Sequence, residues 1–387
     1  MKLKHLLLMM VAAFLFVVLT ACGDSNAPGT ATTEPAAEAT TEAPADEPGD
    51  AEQVDVNIAL ISHSPAPAST LNDGSFNQGA QDGILRFAAA NPGTVHNFLQ
   101  PHEASDEARI DVIADAVAQG ANVIVLPGFH FQTSLYEAQD IFPDVHFVLL
   151  DASPRNPDTE EVRVAANVAA IHYAEEQSGF LAGYAAVLEG YRSLGFLGGL
   201  PVPAVVRFGH GFVQGAEFAA SELGLAEGEV TIHFEYLGGF GPDPARQATA
   251  GALYASGVEV IFAAAGGAGN SVMAAAEAAG ASVIGVDVDQ YHESDSVITS
   301  ALKGLEVSVY DMLVSVANGT WNGGRELRFD ASNNGISIAM ETARFENFAQ
   351  SDFDAVFARI VSGEITVDQS MDSADIVTTL VTVTFVE

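Results

Sequence analysis

Past its fourth residue the chain carries a single lysine, Lys303, although 14 Lys and Arg stand against 51 Asp and Glu overall. Lys303 closes the run VITSALK, a short distance after SVIGVDVD, whose end brings Asp287 and Asp289. An ammonium beside carboxylates can form an ion pair and still donate to a hydroxyl, and an ionised carboxylate offers two oxygens matched to a diol. The same pair can equally be structural and meet no ligand. Phe76 and Phe240 are different in kind, because each lies in a Gly- and Asp-containing stretch, NDGSFNQG and LGGFGPDP, with no helical or strand face to bury against. Two such rings can sandwich a flat heterocycle, each stack contributing on the order of 1–3 kcal/mol by analogy with base stacking; the alternative is rings folded back on their own surroundings.

Positioning such residues takes a scaffold, and the sequence supplies one. Short apolar runs (VDVNIALI from Val54, NVIVLPG from Asn122, HFVLLDA from His146, SLGFLGG from Ser193, TIHFEYLGG from Thr231, VEVIFAAAGG from Val258, SVIGVDVD from Ser282, VITSAL from Val297) alternate with helical patterns from Phe76 to Leu305 onward. This is the signature of βαβ units in parallel sheets, an α/β fold with helices on both sheet faces. In open parallel sheets ligands bind beyond the carboxyl ends of the strands. The residues there are Ser62 and His63, Gly128 and Phe129, Asp151, Gly238 to Phe240, Gly266 and Gly267, Asp287, and Lys303. Carboxylates, one lysine, aromatics and backbone-exposing glycines suit a flat, neutral, hydroxylated molecule better than a phosphorylated one.

Several chemistries lack their residues. Gly267-Ala268-Gly269 is followed by Asn270-Ser271-Val272, so the third glycine of a dinucleotide fingerprint is missing, and no lysine stands where a Walker motif needs it. Gly266 to Gly269 reads as a strand-to-helix turn that lets a ligand approach main-chain N–H groups, or as a purely structural turn. The histidines show no metal-ligand spacing and no serine elbow occurs. Neither catalytic residue, metal nor cofactor is therefore expected. A net charge of −37 argues against nucleic acid, whose backbone requires basic surface.

The N-terminus reads as an address. Residues 1–21 combine Lys2 and Lys4 with an apolar run ending in Leu19-Thr20-Ala21-Cys22, the pattern of a bacterial lipoprotein signal that leaves the sole cysteine, Cys22, as a lipidated terminus. Residues 22–53 are Ala, Thr, Pro, Glu and Asp with no aromatic, too little apolar surface to offset chain entropy, and so are expected to be a tether. The remaining body is long enough for two domains.

In sequence order, S-F-N-Q (Ser75 to Gln78), E-E-x-x-G-F-L-A-G (Glu175 to Gly183), G-F-L-G-G (Gly195 to Gly199), R-F-x-x-G-F (Arg207 to Phe212), A-A-G-G-A-G-N (Ala264 to Asn270), G-V-D-V-D-Q (Gly285 to Gln290) and T-S-A-L-K (Thr299 to Lys303) follow the lipoprotein signal. Together they resemble the basic membrane protein family, the PnrA-like substrate-binding lipoproteins of ABC transporters. The resemblance implies a type I periplasmic-binding-protein fold: two Rossmann-like lobes, here 54–165 with 297–320 and 166–296 with 321–387, closing on ligand by hinge motion. It further implies a purine nucleoside with its base between Phe76 and Phe240, Asn77 and Asp151 lining the first lobe, Gly266 offering main chain, and Asp287 with Lys303 on the ribose. His63 and Asp73 are further candidates, because Ser62-His63-Ser64-Pro65 and a longer Pro-rich loop replace the T-D-x-G pattern usual in the family, and Gln81 stands where an aromatic is common.

The expected role is an extracytoplasmic receptor, tethered to the cell membrane through lipid, that hands a nucleoside to ABC permease subunits without catalysis. Two alternatives differ in class. A sensory receptor would use the same lobes for another heterocycle or sugar, and an extracytoplasmic nucleoside hydrolase would release free base.

Overall fold

The computed structural model describes residues 55–66, 69–372 and 375–386, so the expected signal sequence, Cys22 and the tether lie outside the described residues. In chain order the elements are β1 (Asn57–Ile61), α1 (Phe76–Ala90), β2 (Val95–Leu99), α2 (Asp106–Ala118), β3 (Val123–Pro127), α3 (Gln132–Ile141), β4 (His146–Leu150), β5 (Val168–Tyr173), α4 (Glu175–Glu189), β6 (Ser193–Gly198) and α5 (Pro203–Leu223). They continue with β7 (Val230–Tyr236), α6 (Pro244–Ala255), β8 (Val260–Ala264), α7 (Gly269–Ala279), β9 (Ser282–Asp287), β10 (Val297–Lys303), α8 (Leu305–Ala317), β11 (Arg325–Phe329), β12 (Ile336–Ile338), α9 (Gln350–Val361) and β13 (Val381–Phe385).

Two sheets result. One runs β11-β5-β4-β3-β1-β2 and is parallel throughout; the other runs β12-β10-β9-β8-β6-β7-β13 and is parallel except for its β12 edge. Because side chains alternate along a strand, each sheet feeds two cores. Ile58, Leu60, Val123 and Val125 pack with α1 and α8, while Ala59, Ile61, Ile124 and Leu126 pack with α2 and α3. The second sheet does the same, with Phe196 and Phe262 facing α4 and α5, and Leu197, Ile261 and Ala263 facing α6 and α7. Burial on both faces is why the central strands read as continuous apolar runs.

The chain passes between the lobes three times, after β5, after β10 and after β11. This moves three expected boundaries. Strand β5, expected in the second lobe, pairs with β4 in the first sheet, with Val168 beside Phe147. Strand β10, expected in the first lobe, pairs with β9 in the second, and β11, expected in the second, pairs with β5. Helix α8 does pack in the first lobe, since Leu305, Val309 and Leu313 join the core of Ile84 and Phe87. The return crossing therefore falls after Lys303 rather than before Val297. The Ala-rich run VAAIHY gives β5 little β-branched signature, and so hid the edge of the first lobe.

Helices α4 and α5 touch backbone to backbone. A methyl group on Gly179 would collide with the Phe208 carbonyl, and one on Gly211 with that of Glu176. That approach sets the first turn of α4 against the first turns of α5, where the cleft begins.

Candidate functional site

A cavity of about 180 Å³ lies between the two sheets at their carboxyl ends. All nine sequence-nominated ligand residues, Phe76, Asn77, Asp151, Phe240, Gly266, Asp287, Lys303, His63 and Asp73, line it. The physical reason is the parallel sheet: every β-to-α turn on one edge of a sheet opens toward the same side.

The charged wall is built by three elements. Asp151 follows β4, Asp287 ends β9, and Lys303 ends β10. Both aspartates have left-handed backbone, at φ 63° and 68°. Non-glycine residues adopt that conformation at a cost of order 1–3 kcal/mol, which accumulates at functional sites. Here it turns one carboxylate from each lobe toward the same lysine. The Lys303 ammonium donates to Asp151 Oδ2 at 2.7 Å and lies 3.1 Å from Glu175 Oε1, but only 4.0 Å from Asp287 Oδ1. The expected Asp287–Lys303 pair is thus the loosest of three. Ser75 Oγ, from the other lobe, holds Asp287 more tightly by donating to Oδ2 at 2.5 Å.

Glu175 was not among the nominated residues and is the centre of the cluster. Its side chain is fully buried, and Arg207 Nε donates to Oε2 at 2.6 Å. Sequence gave it an ordinary role, an acid in the first turn of α4, where the helix dipole favours one. Only the contact between α4 and α5 reveals that it is sealed from water. Burial would push its carboxyl up, yet the charges of Lys303 and Arg207 prevail and hold it down to about 2. Lys303 is the converse, because burial would lower it while Asp151, Glu175 and Asp287 raise it, so it remains an ammonium.

The carboxylates do not share this fate equally. Burial outweighs the lysine at Asp151, which is pushed up to about 7, and Asp287 is raised as well. A 2.7 Å contact to an ammonium and an elevated pKa pull in opposite directions. The direction that stands is upward for Asp151, since three acids compete for the one lysine and Glu175 also holds Arg207. Asp151 Oδ1 is buried with no hydrogen-bond partner among the described residues. A buried acceptor in that state costs about 1–3 kcal/mol until a donor reaches it.

Aromatic rings complete the walls. Phe76 is the first residue of α1 rather than a loop residue, and its ring lies 4.9 Å from the Lys303 ammonium, with Tyr173 and Phe208 at 5.1 and 5.5 Å. Asp73 creates that helix start by accepting the N–H groups of Ser75, Asn77 and Gln78, each at 3.0 Å. Burial nonetheless pushes Asp73 up to about 6. Asn77 spends its amide hydrogens on Ser69 Oγ and the Thr70 carbonyl, at 3.2 and 2.9 Å, so its first duty is to hold the preceding loop. Phe240, in the loop after β7, lies over Gly199 and Gly266, where a methyl group on Gly199 would strike its ring. The lining also includes His63 and Phe129, both read at strand ends in the sequence, and one unpredicted residue, His130.

A ligand-sized cleft between two parallel-sheet lobes joined by three crossings, with both lobes contributing to the walls, defines a solute-binding protein of the type I periplasmic-binding fold. An ABC transporter solute-binding protein from Aeropyrum pernix K1 superposes with a TM-score of 0.69 at 22% identity, over 83% of this chain and 95% of that one. One from Conexibacter woesei DSM 14684 gives 0.63 at 24% identity, over 81% and 99%. Residues 64–371 match the family described as ABC transporter substrate-binding protein PnrA-like, and the chain belongs to that family. Among its relatives, the ABC transporter nucleoside-binding protein BmpA of Lactococcus lactis is 27% identical over 316 residues, 76% of this chain and 84% of that protein. Basic membrane protein A of Borreliella burgdorferi is 25% identical over 310 residues, covering 79% and 86%.

Proposed function

We propose that this substrate-binding protein captures a nucleoside, a purine nucleoside before others, and presents it to the permease of an ABC importer from the outer face of the cell membrane. The observation that carries the reading is the convergence of Asp151 and Asp287, one from each lobe, on Lys303 inside an aromatic-walled cavity. A vicinal diol offers two donors to such carboxylates and an acceptor to the ammonium, and a flat base suits the rings of Phe76 and Phe240. Asp151 Oδ1, lacking a donor of its own among the described residues, gains one when a hydroxyl binds. The nucleoside-binding name of the Lactococcus lactis relative supports the same class. Cys22 supplies the lipid anchor on the strength of its Leu-Thr-Ala-Cys context, and the described helices include none long and apolar enough to cross a membrane.

The test is mass spectrometry of small molecules released when the purified chain is denatured, followed by calorimetric titration with a nucleoside panel. A released nucleoside, or one bound at micromolar strength or better, is the expected result. Release of a sugar or an unrelated heterocycle, with no nucleoside bound, would sink the nucleoside reading.

A further inference from the structure

The turns after β1 and β3 bring an unusual cluster of rings into the pocket of so acidic a chain. His63 and His130 stack at 4.3 Å between ring centroids with 28° between planes, and Phe129 lies 4.0 Å from His130. All three rings line the cavity. His63 is fixed by its Nδ1, 2.8 Å from Ser64 Oγ, and Ser64 is fixed in turn because its carbonyl accepts from Ser62 Oγ at 2.9 Å. Neither His63 Nε2 nor a ring nitrogen of His130 has a hydrogen-bond partner among the described residues. Behind them is Arg109, only 6% exposed, whose Nε donates to the His63 carbonyl at 2.9 Å while its Nη1 pairs with Asp106 at 2.9 Å.

From this geometry we propose that His63 and His130, backed by Arg109, select a heterocycle that presents a carbonyl oxygen to them over one that presents an amino group. The inference rests on the nucleoside reading above and names the preferred class within it: oxo-substituted bases over amino-substituted ones.

Three arguments support it. Burial, the neighbouring His130 and the charge of Arg109 hold His63 down to about 3, while burial and Arg109, against the opposing charge of Asp106, hold His130 down to about 4, so both are neutral. In the tautomer this proposal assigns, Ser64 Oγ donates to His63 Nδ1 and the His63 proton stands on Nε2, free to be given to a ligand. The guanidinium, only partly offset by its ion pair with Asp106, leaves net positive potential at His130, which favours an electron-rich oxygen over the hydrogens of an amino group. Finally, Asp151 and Asp287 gather around Lys303 as a second cluster in the same cavity, one that accepts hydrogen bonds. A ligand fitting both ends carries donors at one and an acceptor at the other, which is the polarity of an oxopurine nucleoside.

The experiment is calorimetric titration of the purified full chain with inosine and with adenosine, repeated on His63→Asp and His130→Phe, each first checked for an unchanged melting transition. Inosine is expected to bind at least about tenfold tighter than adenosine, because a site built to donate leaves its groups unpaired against the wrong edge. His63→Asp replaces a donor with an acceptor-only carboxylate and should narrow or reverse that ratio. His130→Phe keeps the stack but not the N–H, and should weaken inosine about tenfold while moving adenosine little. Equal affinities for the two nucleosides in the unsubstituted chain would overturn the proposal. So would variants that shift both nucleosides by one common factor. Binding of neither nucleoside, alongside capture of another compound class, would overturn the receptor's nucleoside reading and this inference with it.

Discussion

In one part of the cleft Lys303 is surrounded by Asp151, Glu175 and Asp287, whereas in another His63 and His130 stack on one another beside Arg109. Lys303, Glu175 and Asp287 are buried, whereas His63 and His130 are half-buried. The first sets three acids around Lys303 and Arg207, holding Glu175 charged while burial raises Asp151 and Asp287; the second leaves neutral rings. A wall of paired ions is stiff and intolerant, because removing one member strands the others in low dielectric. A wall of neutral rings can change its hydrogen-bonding character at small energetic cost. On the proposed function, affinity and closure would belong to the first wall, and choice among related ligands to the second.

The sharpest way to break this contrast is Lys303→Met. It should lower unfolding free energy by about 3–5 kcal/mol, the usual cost of orphaning a buried ion pair, and abolish nucleoside binding. Urea denaturation followed by circular dichroism checks it, and a change below about 1 kcal/mol would mean the cluster behaves like a surface pair. Next in size is Asp287→Asn, expected to weaken nucleoside binding at least about tenfold, near 1.4 kcal/mol, without altering the fold. Retained affinity in calorimetry would remove the diol assignment.

Acid should also separate the walls. The folded-state pKa of Glu175 lies at about 2 against an ordinary 4.5. Its ionisation thus stabilises the fold fully above pH 4.5, and that contribution is lost as pH falls from 4.5 toward 2. Stability measured in urea at pH 5 and at pH 3 should drop more for the unsubstituted chain than for Glu175→Gln, which has no such proton to gain. Parallel losses in the two would contradict the assignment. The histidines also lose stability as pH falls from 6.5, because His63 and His130 stay neutral in the fold down to about 3 and 4 while their unfolded counterparts gain a proton, but they do so alike in both chains, so the difference between the chains reports Glu175. The smallest effect is expected from Asp73→Asn, which keeps one acceptor for the α1 start and should cost no more than about 1 kcal/mol. Its sign can even favour the variant near pH 7, because an acid raised to about 6 opposes folding as pH climbs from 3.8 through 6.

The carboxyl ends of the strands were legible because alternating apolar runs and helical stretches leave few choices for where a parallel sheet opens. Asp151, Asp287, Lys303 and Gly266 each terminate or follow a run that reads as a buried strand. Edges were not legible. Strand β2 is VHNFL, largely exposed, and β11 is RELRF, so neither carries the apolar signature of a buried strand. Glu175, Arg207 and His130 escaped for a related reason, since each occupies a position where its type is ordinary. What makes them functional candidates is proximity across elements far apart in sequence, such as Glu175 to Lys303, and local alternation carries no information about that. One available signal was the glycine spacing in α4 and α5, Gly179 and Gly183 against Gly211 and Gly215, which announces two helices in backbone contact and hence a sealed first turn.

Glu175 begins two residues after β5 ends, and Lys303 is the last residue of β10, so both sit at the threads by which the chain passes from lobe to lobe. That makes the cleft a lever with its load beside the fulcrum. On the proposed function, a small shift of the ammonium toward a captured hydroxyl would be magnified along the length of each lobe into a large displacement at the outer rims. Occupancy of a cavity of about 180 Å³ would thereby become visible to anything that grips only the rims.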